Sequence, residues 1–338
     1  MPEVDLFAVQ PRIELGDYES AGAFAARHRH LAERVAAMRS SPDVPALAVW
    51  PEMVGAFLGL AGAADVVRGC RSTDEAMRRI ALRMLPRLAG TAVRHRVLET
   101  RRLVLTTLAP TVWAAYHATF SSIARDFGLW VVAGSALLPR NALGDDVPRL
   151  RPSDARVFNT SLTFAPDGRC VAATRKVNLV PTQEDVLSLS PGSAGDLSVV
   201  ETPFGPLGTL VCYDGFVEPH TSSEPGFTAC GPVLDALGAV VVAQPSANAW
   251  AWDAPWAFNE PGETLLRSDQ WFAEGFAAQL RSLRSVRWCV NPQLVGTVLD
   301  NVFEAPSLIL ERSGSDVRVL ARAADPRGED VLHARVRT

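Results

Sequence analysis

Short apolar runs alternate along the chain with longer amphipathic stretches, and run length separates strands from helices. Asp5 to Val9 and Ala46 to Trp50 read as buried strands, joined by an alanine- and arginine-rich helix from Ala21 to Met38. Leu129 to Ser135 reads as another buried strand. Val157 to Phe164 and Cys170 to Thr174 flank Ala-Pro-Asp-Gly-Arg, turn chemistry that closes a hairpin. Leu197 to Glu201 and Leu207 to Cys212 form a second pair around Thr-Pro-Phe-Gly-Pro. A short helix from Gly231 to Leu237 leads into the strand Ala239 to Ala243, and a helix from Ser268 to Ser285 precedes the strand Val286 to Val290. Ser307 to Glu311 and Val317 to Ala321 make a third hairpin, and Glu329 to Arg335 a closing strand.

Strands alternating with helices predict an α/β protein, while the hairpins exclude a purely parallel sheet. No composition break marks a linker and no repeat recurs, so residues 1–338 read as one domain. Within it, Asp65 to Phe120 is arginine-rich with interspersed Leu and Val. It is expected to be a helical insert, serving as an outer packing layer or subunit contact, or else as a lid.

Composition narrows the function. At 338 residues and 48% hydrophobic content the chain can bury a large core. A net charge of −4 with mixed signs lacks the basic footprint of a nucleic-acid binder. The stretch Leu103 to Phe120 is broken by Pro110 and His117 and flanked by arginines, so no membrane span is expected. The amino-terminal stretch shows no basic region followed by an apolar one, so a cytoplasmic location is expected. Five cysteines, Cys70, Cys170, Cys212, Cys230 and Cys289, are scattered without a CxxC pair. They fit free thiols in a reducing compartment and offer no zinc site.

Three strand ends carry candidate chemistry. Gly208-Thr-Leu-Val-Cys-Tyr-Asp214 runs an apolar strand into a cysteine at a sharp turn, a spot that holds a nucleophile rigid yet open. Ala46-Leu-Ala-Val-Trp-Pro-Glu52 ends in a carboxylate. Thr174-Arg-Lys-Val-Asn-Leu-Val-Pro-Thr-Gln-Glu184 leaves a strand with a lysine and meets a carboxylate eight residues later. Taken singly, each has a plain structural reading: an inert core thiol, a solvated strand terminus, a surface pair. Their conjunction and order resemble the nitrilase superfamily of carbon–nitrogen hydrolases. That family shows an apolar strand ending in Pro-Glu, an Arg-Lys pair before a Pro-containing loop with a Glu, and a Cys-Tyr-Asp turn.

The resemblance covers nearly the whole chain and implies a four-layer α-β-β-α sandwich, two mixed sheets face to face with helices outside. It implies subunits that pair through a helical face, hence a homodimer or higher homo-oligomer. It also implies a Glu52–Lys176–Cys212 triad supported by Glu184, with no cofactor and no metal. A free thiol, with a pKa of about 8.5, is only slightly ionised at neutral pH. Glu52 would therefore take the thiol proton as general base and later return it to the departing amine. Lys176 and the backbone N–H of Tyr213 would stabilise the oxyanion. The implied substrate is a small linear amide or N-carbamoyl compound, cleaved through a thioester with release of ammonia. Tyr213-Asp214 fits amidase-type branches better than nitrile hydrolysis. Acyl transfer to an amine, or a non-catalytic interaction protein on the same fold, would also be compatible with the resemblance.

Two departures leave the substrate open. Gly215-Phe-Val-Glu-Pro219 replaces an Arg-Phe-Pro-Glu-like run, and Ala305-Pro-Ser307 replaces a Gly-x-Ser. Trp250, Trp252 and Trp256 are candidates for an acyl pocket or for packing against one another. None of the six histidines has a serine or cysteine turn nearby that would build a Ser-His-Asp or Cys-His site. His28 and His30 diverge on their helix and make no metal pair.

Overall fold

The computed structural model describes residues 3–184, 187–224 and 226–338. Seven strands form one mixed sheet. Its order is Asp330–Arg337, Glu3–Gln10, Ala46–Val49, Trp130–Val132, Pro152–Phe164 and Ala136–Asn141, with Cys170–Arg175 also paired to Pro152–Phe164. Six strands form a second, ordered Asp316–Arg322, Leu308–Ser313, Trp288–Asn291, Val241–Ala243, Leu207–Thr209 and Val199–Val200, and four short strands pair in a smaller third sheet. In the two large sheets, a parallel centre is edged by antiparallel strands. The expected hairpins at Val157–Thr174, Leu197–Cys212 and Ser307–Ala321 are all present.

Alternation explains why the two sheets face each other. Leu6 and Ala8, with Leu47 and Val49, turn one way to meet Leu207, Val241, Ala243, Trp288 and Val290 of the other sheet. Phe7, Val9, Ala46 and Ala48 turn the opposite way, onto helices. The helix Ala21–Ala37 starts where the Ser20 side chain accepts from the N–H of Ala23, and it buries Phe24, His28, Leu31, Ala32 and Val35 along one stripe. On the far side, Leu234 and the Phe276 and Leu280 side chains cover the second sheet. The architecture is thus helix, sheet, sheet, helix, as expected.

The helical expectation for residues 65–120 resolves into Ala64–Val67, Thr73–Arg83, Leu85–His95 and Thr100–Phe127. The last starts at Glu99, whose carboxylate accepts from the N–H groups of Arg101 and Arg102, and stops at Gly128 in the left-handed region. Ala76, Ile80, Met84 and Leu88 join the core beneath the first sheet, so this segment is an integral outer layer. The expected helix from Ser268 to Ser285 is instead two short ones, Arg267–Glu274 and Phe276–Leu280. Gly275 between them is extended, and its Cα lies so close to the Trp271 carbonyl that a Cβ would sit 2.4 Å from that oxygen. No described helix is long and apolar enough to cross a membrane.

Candidate active site

The central strands of both sheets end at the same rim. Just past those ends lies a cavity of about 230 Å³ whose wall includes Glu52, Lys176, Glu184, Cys212 and Tyr213. The five residues singled out by sequence, from three separate segments, are therefore brought together. None of the other four cysteines lines it.

Two turns hold the reacting ends. Cys212 has a φ of 49° and Met53, next to Glu52, a φ of 63°. Each sits in the left-handed region, which costs a non-glycine residue roughly 1–2 kcal/mol, so the surroundings must fix both. The Cys212 N–H donates to the Pro245 carbonyl at 2.8 Å and its carbonyl accepts from Gln244 Nε2 at 2.8 Å. The Met53 N–H donates to Ser135 Oγ at 2.8 Å. Glycine is required beside each turn by close approach. A Cβ on Gly215 would lie 2.3 Å from Gln244 Nε2, and one on Gly134, at φ +74°, would lie 2.0 Å from the Pro51 carbonyl oxygen.

Lys176 follows the strand Cys170–Arg175 and is 1% exposed. Its ammonium lies 2.7 Å from Glu52 Oε1 and 2.6 Å from Glu184 Oε2. Burial opposes its charge, but the Glu184 and Glu52 carboxylates outweigh it and hold the group well above the usual lysine range. Asn159 ties the two acids together, its Nδ2 donating to Glu52 Oε1 and to Glu184 Oε1, each at 2.8 Å. The remaining oxygens are also satisfied: Glu52 Oε2 accepts from the Ala247 N–H at 3.1 Å and Glu184 Oε2 from the Val180 N–H at 3.0 Å.

Electrostatics set the protonation states. Burial raises the Glu52 carboxyl, Lys176 pulls it back, and Glu184 raises it further, leaving it above the ordinary carboxylate range. Burial and the Glu52 charge push the Cys212 thiol up to about 12, against the pull of Lys176. The resting thiol is thus protonated, on the same cavity wall as the Glu52 carboxyl. The Tyr213 N–H, one residue on, donates to no protein acceptor among the described residues. It remains available to an oxygen bound in the cavity.

Several site residues carried no assigned role in the sequence. Asn159 was legible only as part of a strand. Asp214, fully buried, accepts from the N–H groups of Val177, Asn178 and Val211 and so laces the cysteine turn to the lysine segment. Burial pushes its carboxyl up to about 7 in spite of those donors. His220, given no role by the sequence, stands near the cysteine turn: its ring stacks on Tyr213 at 4.0 Å and lines the cavity. Burial, with Arg267 and Lys176 adding to it, pushes the imidazole down to about 2, so it is neutral and a poor base. His28 and His30 do diverge, His28 into the core and His30 into solvent. Of the three tryptophans only Trp250 reaches the cavity; Trp252 and Trp256 pack behind it. Thr73, Asp74 and Arg101 bring the helical segment to the cavity mouth.

Comparison with known proteins points the same way as this geometry. The carbon–nitrogen hydrolase family model matches residues 66–219, a span that holds Lys176, Glu184 and Cys212 but not Glu52. An omega-amidase of Saccharomyces cerevisiae is 30% identical over 79 residues, which is 21% of this chain and 26% of that protein. An omega-amidase of Xenopus tropicalis is 31% identical over 101 residues, 28% of this chain and 31% of that protein. The chain thus spans about a quarter to a third of the length of the relatives it matches. In fold the likeness is wider. An amidase from Nesterenkonia sp. AN1, with acrylamide added to its active-site cysteine, superposes with a TM-score of 0.53 at 17% identity, over 98% of this chain and 92% of that one. A carbon–nitrogen hydrolase from Helicobacter pylori G27 gives a TM-score of 0.58 at 17% identity, over 98% and 89%. Over its middle the chain is similar in sequence to carbon–nitrogen hydrolases, omega-amidases among them, and over nearly its whole length its fold is like that of solved members of the nitrilase superfamily.

Proposed function

We propose that the protein hydrolyses the carbon–nitrogen bond of a small linear amide or N-carbamoyl compound through a Cys212 thioester. The observation that carries this reading is the lysine held at 2.7 and 2.6 Å by two buried carboxylates on the wall that also presents the cysteine. A fixed buried cation beside a thiol and a raised carboxyl is what acyl transfer requires.

The steps follow from the contacts. The Cys212 sulfur attacks the carbonyl carbon as Glu52 takes the thiol proton, so a fully formed thiolate is never needed. The carbonyl electrons move to oxygen, which is met by the Lys176 ammonium and the Tyr213 N–H. Collapse breaks the C–N bond, and Glu52 gives its proton to the departing nitrogen, releasing ammonia. Water then attacks the thioester, its proton going to Glu52, and the acid leaves with the thiol restored. Glu184 and Asn159 position Lys176 and Glu52 throughout. The known omega-amidases among its relatives favour an amide over a nitrile. Acyl transfer to an amine shares the thioester and differs in the second nucleophile.

Two further expectations belong to this reading. A cytoplasmic location fits free cysteines. Self-association fits the exposed Leu82, Leu85, Val93 and Leu98 on the helical outer segment, and sedimentation would show a species larger than the single chain.

The test is the nucleophile. Cys212→Ala should lower ammonia release from a panel of small amides by about 10⁴-fold or more while the protein melts cooperatively as before. Wild type quenched during turnover of a slow amide should carry the acyl mass on the peptide containing Cys212. An adduct on Cys70 or Cys230, or full activity in the alanine variant, would overturn the assignment.

A further inference from the structure

We infer that Arg267 is a substrate-carboxylate anchor, so that the amide accepted here carries an anionic group at the end remote from the scissile bond. This deepens the amidase reading and rests on it. Arg267 lines the same cavity as Cys212, Lys176 and Glu52, yet it is only 2% exposed. Among the described residues no carboxylate oxygen lies within ion-pair distance of it. Its Nε donates to Asn248 Oδ1 at 2.8 Å and its Nη1 to Gln270 Oε1, both neutral acceptors, while Nη2 has no protein partner among those residues. Glu274 is one residue removed, reached only through Gln270.

A buried cation without a counter-charge is costly, and proteins keep one where a ligand supplies the missing charge. The guanidinium is built in firmly. Trp250, Trp256 and Trp271 lie over it at 4.9, 4.3 and 5.0 Å, so it is oriented before any ligand arrives. Burial pushes it down to about 9, which leaves it cationic at neutral pH. Glu52 and Glu184 do not serve as its partners, because their oxygens are occupied by Lys176, Asn159 and backbone N–H groups. The free Nη2 edge of one guanidinium suits one carboxylate, and a cavity of about 230 Å³ suits a short chain between that carboxylate and the amide.

Wild type assayed on succinamate and glutaramate against butyramide and pentanamide, in which methyl replaces the carboxylate, should prefer the acids by about 10²-fold in kcat/KM. Arg267→Gln should erase that preference chiefly through KM, and Arg267→Lys should restore part of it. Calorimetry of glutaramate with Cys212→Ala, which needs no arginine variant, should show binding that is lost with pentanamide. Equal turnover of acids and neutral amides, or a preference unchanged in Arg267→Gln, overturns the anchor and leaves the amidase reading standing. If no amide is hydrolysed but glutaramate binds the Cys212→Ala protein and not its Arg267→Gln derivative, the amidase reading fails and the anchor stands. Absence of glutaramate binding to Cys212→Ala overturns the anchor.

Discussion

The cavity holds two buried cations that are supported in opposite ways. Lys176 is clasped by two carboxylates that themselves accept from Asn159 and from backbone N–H groups, so its charge is balanced within the protein. Arg267 is clasped by neutral amides and tryptophan faces and has no carboxylate in contact among the described residues. The difference separates a charge that must be in place before chemistry from one that waits for a partner. A balanced lysine offers a fixed field to a transient oxyanion without binding ground-state anions tightly. An unbalanced arginine binds a ground-state anion and thereby selects it.

The largest effect expected at the balanced end is on Glu52, which in the proposed mechanism moves protons as well as pairing with Lys176. Glu52→Gln should lower single-turnover acylation by about 10²–10⁴-fold. The active form of Glu52 is the carboxylate, and burial raises its pKa. Acylation in wild type should therefore climb with pH through that raised value and then level off. No second rise should follow near neutrality, since the thiol is pushed up to about 12. The climbing limb should vanish in Glu52→Gln and persist in Glu184→Gln, which should lose less rate. A limb that vanishes with Glu184 instead would exchange the two roles.

Lys176→Met and Arg267→Met set the two cations side by side. The first removes the charge facing the oxyanion and should cost about 10²–10³-fold in kcat. It also strands two buried carboxylates, so chemical denaturation should show a loss of about 3–5 kcal/mol. Arg267→Met strands only the neutral oxygens of Asn248 and Gln270, a cost of about 1–2 kcal/mol. Equal stability losses would mean that the two cations are supported alike and that the arginine does not wait for a partner.

What the sequence disclosed, and what it hid, follows from the range of the interactions. The hairpins and the helix Ala21–Ala37 were legible because turn chemistry, capping and periodicity lie within a few residues. Glu52, Lys176 and Cys212 were legible because each sits at the end of an apolar run, the place where a strand presents a side chain. Asn159 was hidden inside a strand pattern, since its amide matters only when Glu52 and Glu184 arrive from 107 and 25 residues away. Arg267 looked like any arginine at the start of a helix, as its tryptophan surround assembles only in the folded loop. His220 was missed because it lies seven positions beyond Tyr213, on which it stacks only once the intervening turn has folded. The split helix at Gly275 was missed because periodicity continues across a backbone break.

The smallest effect expected concerns the lacing between the lysine and cysteine segments, which no part of the Arg267 end shares. Asp214 accepts from Val177 and Asn178, the two residues after Lys176, and from Val211, the residue before Cys212. One side chain thereby sets the lysine and the sulfur relative to each other. Asn in its place keeps one acceptor oxygen but turns an N–H₂ toward N–H donors, so some of those bonds must open. Asp214→Asn should lower kcat on carboxylate-bearing amides by about tenfold through misplacement of the oxyanion site. It should leave KM nearly unchanged, because Arg267 draws none of its support from this residue. It should also cost about 1–3 kcal/mol of stability, the range for buried donors left without acceptors. Steady-state kinetics on glutaramate would separate the two parameters. A rise in KM larger than the fall in kcat would mean that Asp214 supports substrate binding, and that the two ends of the cavity are mechanically joined.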